Sequence, residues 1–125
     1  MLQLAFAVLA AAALFGAGLA VRYLHLRGPS APRLPQALPL AHGSLGVAGL
    51  ILLIAVLRRG LPSTDNGTVG FGLIAAGFFS LALVLGLLIA ALAWRGRRPG
   101  GLVVGTHASV AIAGVVVLAA LVALG

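Results

Sequence analysis

The chain has 125 residues, of which 62% are hydrophobic and 7% charged, with eight basic residues set against one acid. A soluble domain is about one-quarter charged, and at this size it leaves roughly a third of its chain surface facing water. That composition excludes a soluble enzyme and a disordered segment alike, and the absence of cysteine removes disulfides, thiolate metal sites and thiol nucleophiles.

About 20 apolar residues are needed for a helix to cross a bilayer core of about 30 Å. The first such run covers residues 2–24 and stops at Arg22, His25 and Arg27. No basic residue precedes Arg22, so this run reads as a retained span rather than a signal peptide. Pro29, Pro32 and Pro35 then impose a loop. The second span, residues 38–57, tolerates Pro39 in its first turn and ends at Arg58-Arg59-Gly60. After a linker over 61–67, Thr68 is the expected N-cap of a third span, 69–94. Arg95-Gly96-Arg97-Arg98-Pro99-Gly100 turns the chain into the fourth, residues 102–124. Backbone groups in lipid must be paired within the segment, so all four are expected to be helices. The fold class is therefore an all-α integral membrane four-helix bundle, a single domain over 1–125.

All eight basic residues are arginines at the ends of apolar runs. There they meet headgroups, so the lipid bilayer is the expected partner and nucleic acid is not. Six of them (Arg22, Arg27, Arg33, Arg95, Arg97 and Arg98) fall in the first and third loops, and two (Arg58 and Arg59) in the middle one. The positive-inside rule puts the loops over 22–37 and 95–101 in the cytoplasm and both termini outside. Arg without Lys among so much Ala, Gly and Leu fits a bacterial inner membrane. Tyr23 and Trp94 read as aromatic anchors at the interface.

The second span contains His42-Gly43-Ser44-Leu45-Gly46-Val47-Ala48-Gly49, and the fourth contains His107-Ala108-Ser109-Val110-Ala111-Ile112-Ala113-Gly114. His, Ser, Ala and Gly recur at a constant separation of 65 residues. The expected organisation is two tandem helical hairpins, a first repeat over about 1–60 and a second over about 68–125. The first and third spans align less well, because Ala12-Gly16-Ala20 matches Ala82-Gly86-Ala90 only at a different separation. In parallel repeats His42 and His107 lie at the same depth. Residues four and seven further on share each histidine's face: Gly46 and Gly49 in one helix, Ala111 and Gly114 in the other. Such small residues let helix backbones approach closely, or clear space for something flat.

Two uses of the histidines follow. In the first, each His and its Ser hydrogen-bond across the bundle or to water, and the protein is a non-enzymatic scaffold or accessory subunit. Its partners are then a second copy or a larger membrane complex, with the ladders through Gly16 and Gly86 as the docking faces; packing within the one bundle is the alternative use of those ladders, and the preferred one. In the second, His42 and His107 are axial ligands of one haem b, since a porphyrin brings four nitrogens and needs only two more. Arg22, Arg27, Arg95, Arg97 and Arg98 are then the partners for the propionates. Zinc would need further ligands, and no carboxylate or thiol stands in a span. A serine hydrolase is excluded because His42 and Ser44, two residues apart, point about 200° away from each other on a helix.

On Leu34-Pro35, His42-Gly43, Gly49, His107 and Gly114, the chain resembles a group of small bacterial inner-membrane proteins. The resemblance extends over essentially the whole chain and implies a four-helix architecture without a particular activity. In its paired histidines the chain is also similar to di-haem cytochrome b bundles. It departs from them in having one such pair, which implies one haem.

Overall fold

The computed structural model describes residues 1–25, 35–60 and 66–124. Four helices account for nearly all of them: α1 (Leu2–His25), α2 (Ala37–Arg59), α3 (Asn66–Trp94) and α4 (Gly101–Leu124). Each is long and apolar enough to cross a membrane. At 1.5 Å per residue, α3 with its 29 residues is about 43 Å long. That exceeds a hydrocarbon core of about 30 Å and calls for tilt or for an end projecting into the headgroups.

Boundaries differ from the sequence expectation mainly at α3. It begins at Asn66, so Thr68 lies inside the first turn and is not the N-cap. At the other end of α3, Gly96 has φ 72°, Gly96 N–H donates to the Ala93 carbonyl at 3.0 Å, and Arg97 N–H donates to Leu92 at 2.9 Å. This pair of bonds is a Schellman cap, and glycine supplies the left-handed residue it needs. Gly60, at φ 82°, closes α2 with a bond from its N–H to the Leu57 carbonyl. The expected loop residues Arg27, Arg33 and Asp65 lie outside the described residues.

The helices pack as a square. Among the described residues α1 touches α2 and α4, and α3 touches α2 and α4, while α2 and α4 face each other on the diagonal. The within-hairpin pairs, α1 with α2 and α3 with α4, are the more extensive. Large apolar side chains such as Leu14, Ile51, Leu73, Val84 and Val116 point outward and are exposed. In water that would be costly; in lipid it is the expected surface.

The buried positions follow a rule. In α1 they are Ala5, Leu9 and Ala12, and seventy residues on Ala75, Phe79 and Ala82 of α3 are buried as well. Likewise Gly49, Leu53 and Val56 of α2 are matched sixty-five residues on by Gly114, Leu118 and Leu121 of α4, whereas Leu50 and Val104 are buried without a buried counterpart. The two separations differ because eleven residues join α1 to α2 and only six join α3 to α4.

Gly49 and Gly114 show the same local chemistry. A Cβ on Gly49 would come within 2.7 Å of Leu9 of α1, and one on Gly114 within 3.1 Å of Phe79 of α3. Glycine at each place lets a large side chain of the neighbouring helix seat against backbone. Gly46, on the same face, meets nothing within 4 Å. Gly49→Ala is therefore expected to destabilise the bundle by about 1–3 kcal/mol through overpacking, and Gly46→Ala to leave it unchanged. Unfolding midpoints in detergent micelles titrated with SDS measure both, and equal midpoints would contradict the packing described.

Candidate functional site

Sequence places one histidine early in α2 and one early in α4; the fold brings them together. His42 is five residues into α2 and His107 six into α4, about 8–9 Å from the helix starts at 1.5 Å per residue. Both helices run in the same direction, so the rings share a depth, nearer the end of the bundle that carries the 95–100 turn. Across the diagonal the ring centres are 6.0 Å apart and the planes cross at 89°. Both residues are half-buried.

Each ring is tethered within its own hairpin. His42 Nδ1–H donates to the Ala12 carbonyl of α1 at 3.0 Å, and His107 Nδ1–H donates to the Ala82 carbonyl of α3 at 2.9 Å. Helix carbonyls already accept one bond and are shielded from the side by the residue four positions on. Here that residue is Gly16 or Gly86, and its missing side chain uncovers the acceptor. A Cβ on Gly16 would lie 2.5 Å from His42 Cε1, and one on Gly86 3.2 Å from His107 Cε1. The carbonyl accepts, so Nδ1 carries the hydrogen and the neutral ring keeps a lone pair on Nε2.

Neither histidine uses its serine; Ser44 and Ser109 are exposed, and the acceptors are backbone atoms. The small-residue ladders are engaged inside the bundle at their first two positions. Ala12 and Ala82 are buried, and Gly16 and Gly86 lie under the imidazoles. Of the small residues expected beside the histidines, Ala111 lines the space between them, while Gly49 and Gly114 lie under Leu9 and Phe79.

That space is a cavity of about 30 Å³, partly open, bounded by Ala13, Gly16, Ala17 and Ala20 of α1, Ala108 and Ala111 of α4, and both histidines. It is large enough for a single water. Phe15 sets its ring edge-on to His42 at 6.2 Å. A larger cavity, about 380 Å³ and lined by Gln3, Val56 and Arg59, lies at the opposite end of the bundle. His25 takes no part, since its Nδ1 bonds Val21 of its own helix end at 2.9 Å. Trp94 is 93% exposed, whereas the Tyr23 hydroxyl donates to the Pro99 carbonyl at 2.8 Å, tying the end of α1 to the α3–α4 turn.

Among the described residues no group of three or more His, Cys, Asp or Glu side chains comes together. The pair offers two nitrogen donors and no carboxylate, which is too few for zinc and suits a metal that brings its own equatorial ligands. Two rings on one metal stand roughly 6 Å apart, since each metal–nitrogen bond is about 2 Å and each donor atom lies about 1 Å from its ring centre. The observed 6.0 Å is a separation of that length between ring centres, while the space between the rings, about 30 Å³, has room for one water and none for a porphyrin. Nδ1–H bonds to backbone carbonyls are the usual outer-shell support of a ligating imidazole.

No protein-family model, curated protein or solved structure matches this chain.

The tautomer is directly measurable. Solid-state ¹⁵N NMR of histidine-labelled protein in bilayers near neutral pH is expected to show His42 and His107 with a protonated Nδ1 and a bare Nε2. A protonated Nε2 beside a bare Nδ1 would contradict the two tethers.

Proposed function

We propose that this four-helix membrane protein holds one haem b between its hairpins, with His42 and His107 as the axial ligands, and carries electrons for a membrane redox system. One observation supports the reading: two tethered imidazoles from different hairpins come together with their ring centres 6.0 Å apart. Packing alone needs the two Nδ1–H bonds, and each of those closes within a single hairpin.

The chain's own residues would act as follows. His42 and His107 would each offer Nε2 to the group, with the carbonyls of Ala12 and Ala82 holding the rings through Nδ1–H. Ala13, Ala17, Ala20, Ala108 and Ala111 flank the pair with methyl groups, keeping the seam between α1 and α4 narrow in bulk and free of competing donors. The bound group would supply one-electron chemistry, at a potential the protein tunes through burial and outer-shell bonds. A porphyrin needs several hundred Å³ against the 30 Å³ present, so the space between the rings does not fit one in the bundle as packed. Arg22, Arg95, Arg97 and Arg98 are exposed at the nearer end of the bundle and are the cations available to propionates.

The closed cavity favours a second reading. With a water between the rings, the same two bonds act as interhelical ties, and the protein is a non-enzymatic scaffold or accessory subunit, alone, as a homo-oligomer or in a larger complex. We also read the two hairpins as copies of one ancestral unit, supported by the matched histidines, glycines and buried positions. The location read from composition and arginine bias is a bacterial inner membrane, with both termini outside.

An optical spectrum of the protein purified after haem supplementation separates the two functions. The haem reading predicts a Soret band that sharpens on dithionite reduction, with its six-coordinate features lost in either His42→Ala or His107→Ala. A colourless wild type would overturn it. For orientation, the cysteine-free sequence permits single reporters. Arg59→Cys is expected to react with an impermeant maleimide added to intact cells and Gly100→Cys to be shielded; the reverse pattern would overturn the assignment of sides.

A further inference from the structure

Independently of the haem reading, and from the bundle as packed, we infer that His42 and His107 form a site for one soft monovalent cation, cuprous copper, held between their two Nε2 atoms. The space between the rings, about 30 Å³, takes a single occupant of atomic size. Water is one such occupant, and a bare metal ion is another. Ring centres 6.0 Å apart match the roughly 6 Å that two imidazoles on one metal require.

The tethers leave Nε2 as the ligating atom of each ring. The Ala12 carbonyl holds Nδ1–H of His42 and the Ala82 carbonyl holds that of His107, so neither Nδ1 has a lone pair to offer. On His42, a Cβ at Gly16 would stand 3.0 Å from Nε2. Gly16 also borders the cavity, which puts this nitrogen at the cavity wall. On His107, the atoms that a Cβ at Gly86 would meet are Cε1 at 3.2 Å and Nδ1 at 3.7 Å. Its Nε2 is therefore on the side turned away from α3, and this ring borders the same cavity.

The donor set selects the ion. The other side chains around the cavity belong to Ala13, Ala17, Ala20, Ala108, Ala111 and Ile112, and none of them carries a donor atom. Zinc and cupric copper want further ligands, and each would bring two charges into hydrocarbon with no carboxylate to balance them. Cuprous copper accepts two nitrogens in a straight line and brings one charge; imidazole is an ordinary ligand for copper. Its filled d shell has no preference for the rotation of the two planes, so their 89° crossing is no obstacle. Binding leaves both Nδ1–H bonds intact, displaces at most one water, and releases no proton because Nε2 is already bare. The chain's one thioether, Met1, borders the cavity at the opposite end of the bundle and has no part in the site.

The test titrates the full chain, in micelles under reductant and without haem, with cuprous ion against a chromogenic cuprous chelator. Copper K-edge X-ray absorption of the loaded protein then reads the first shell. One equivalent is expected to be retained, on two nitrogens. His42→Ala and His107→Ala should each lose that equivalent, and His25→Ala, at a ring bonded to its own helix end, should keep it. No retained copper, or equal retention in all three variants, would overturn the inference. Should a variant fail to fold, the wild-type first shell still decides, since three or four ligands would contradict the site. Haem is scored separately, by the Soret band of supplemented protein. A chain that takes haem but no copper overturns this inference and leaves the haem reading standing. One that holds copper on two nitrogens and stays colourless with haem supports this inference and overturns that reading.

Discussion

Everything else in this bundle depends on a hydrogen bond that lipid makes obligatory. An imidazole N–H placed inside a membrane has no water to fall back on, and leaving it unmade costs several kcal/mol in hydrocarbon. The acceptors within reach are backbone carbonyls, which are already bonded along their helices and covered by side chains. Glycine at the fourth position beyond the acceptor removes the cover. Ala12 with Gly16 and Ala82 with Gly86 are the two places where a neighbouring histidine takes advantage of this. Each bond ties one hairpin together, and each fixes where its ring points.

From those ties follows the geometry of the centre. Two hairpins that seat their histidines alike and pack face to face along α1–α4 and α2–α3 bring the rings to the diagonal at equal depth. Around them the core is thin: Ala5, Leu9, Leu53, Ala75, Phe79, Leu118 and Leu121 form it at other levels, and the histidine level is lined mostly by alanine. A stable apolar layer next to a level of small side chains and paired nitrogen donors separates holding the bundle from serving a ligand. Loss of bulk around the histidines is tolerable because Leu9 on Gly49 and Phe79 on Gly114 secure each hairpin about two turns away.

Much of this was legible before any coordinates. Four apolar runs bounded by arginine and proline are unambiguous in a chain with so few charges, and the histidines were marked by their shared surroundings at a separation of 65. The acceptors were not legible, because a backbone carbonyl leaves no residue-type signature. The available clue was Gly16 and Gly86, each four residues after an alanine; it read as a packing ladder, within the bundle or between molecules, because close helix approach favours the same small residues whether or not they uncover an acceptor. The relation of α1 to α3 showed in the ladders Ala12-Gly16-Ala20 and Ala82-Gly86-Ala90 but at a separation of 70, because the second hairpin has the shorter connection. Thr68 misled because hydroxyl residues favour both N-caps and the first turn, and the helix could begin earlier, at Asn66.

The central claim is that His42 and His107 meet across the diagonal. With three histidines in the chain, selective ¹³C,¹⁵N labelling of histidine in a bilayer sample gives a simple dipolar-recoupling spectrum. The account predicts a through-space contact between the rings of residues 42 and 107, at a separation near 6.0 Å between centres, that vanishes when either is replaced. Finding only contacts within each histidine, with the two rings beyond recoupling range, would contradict it.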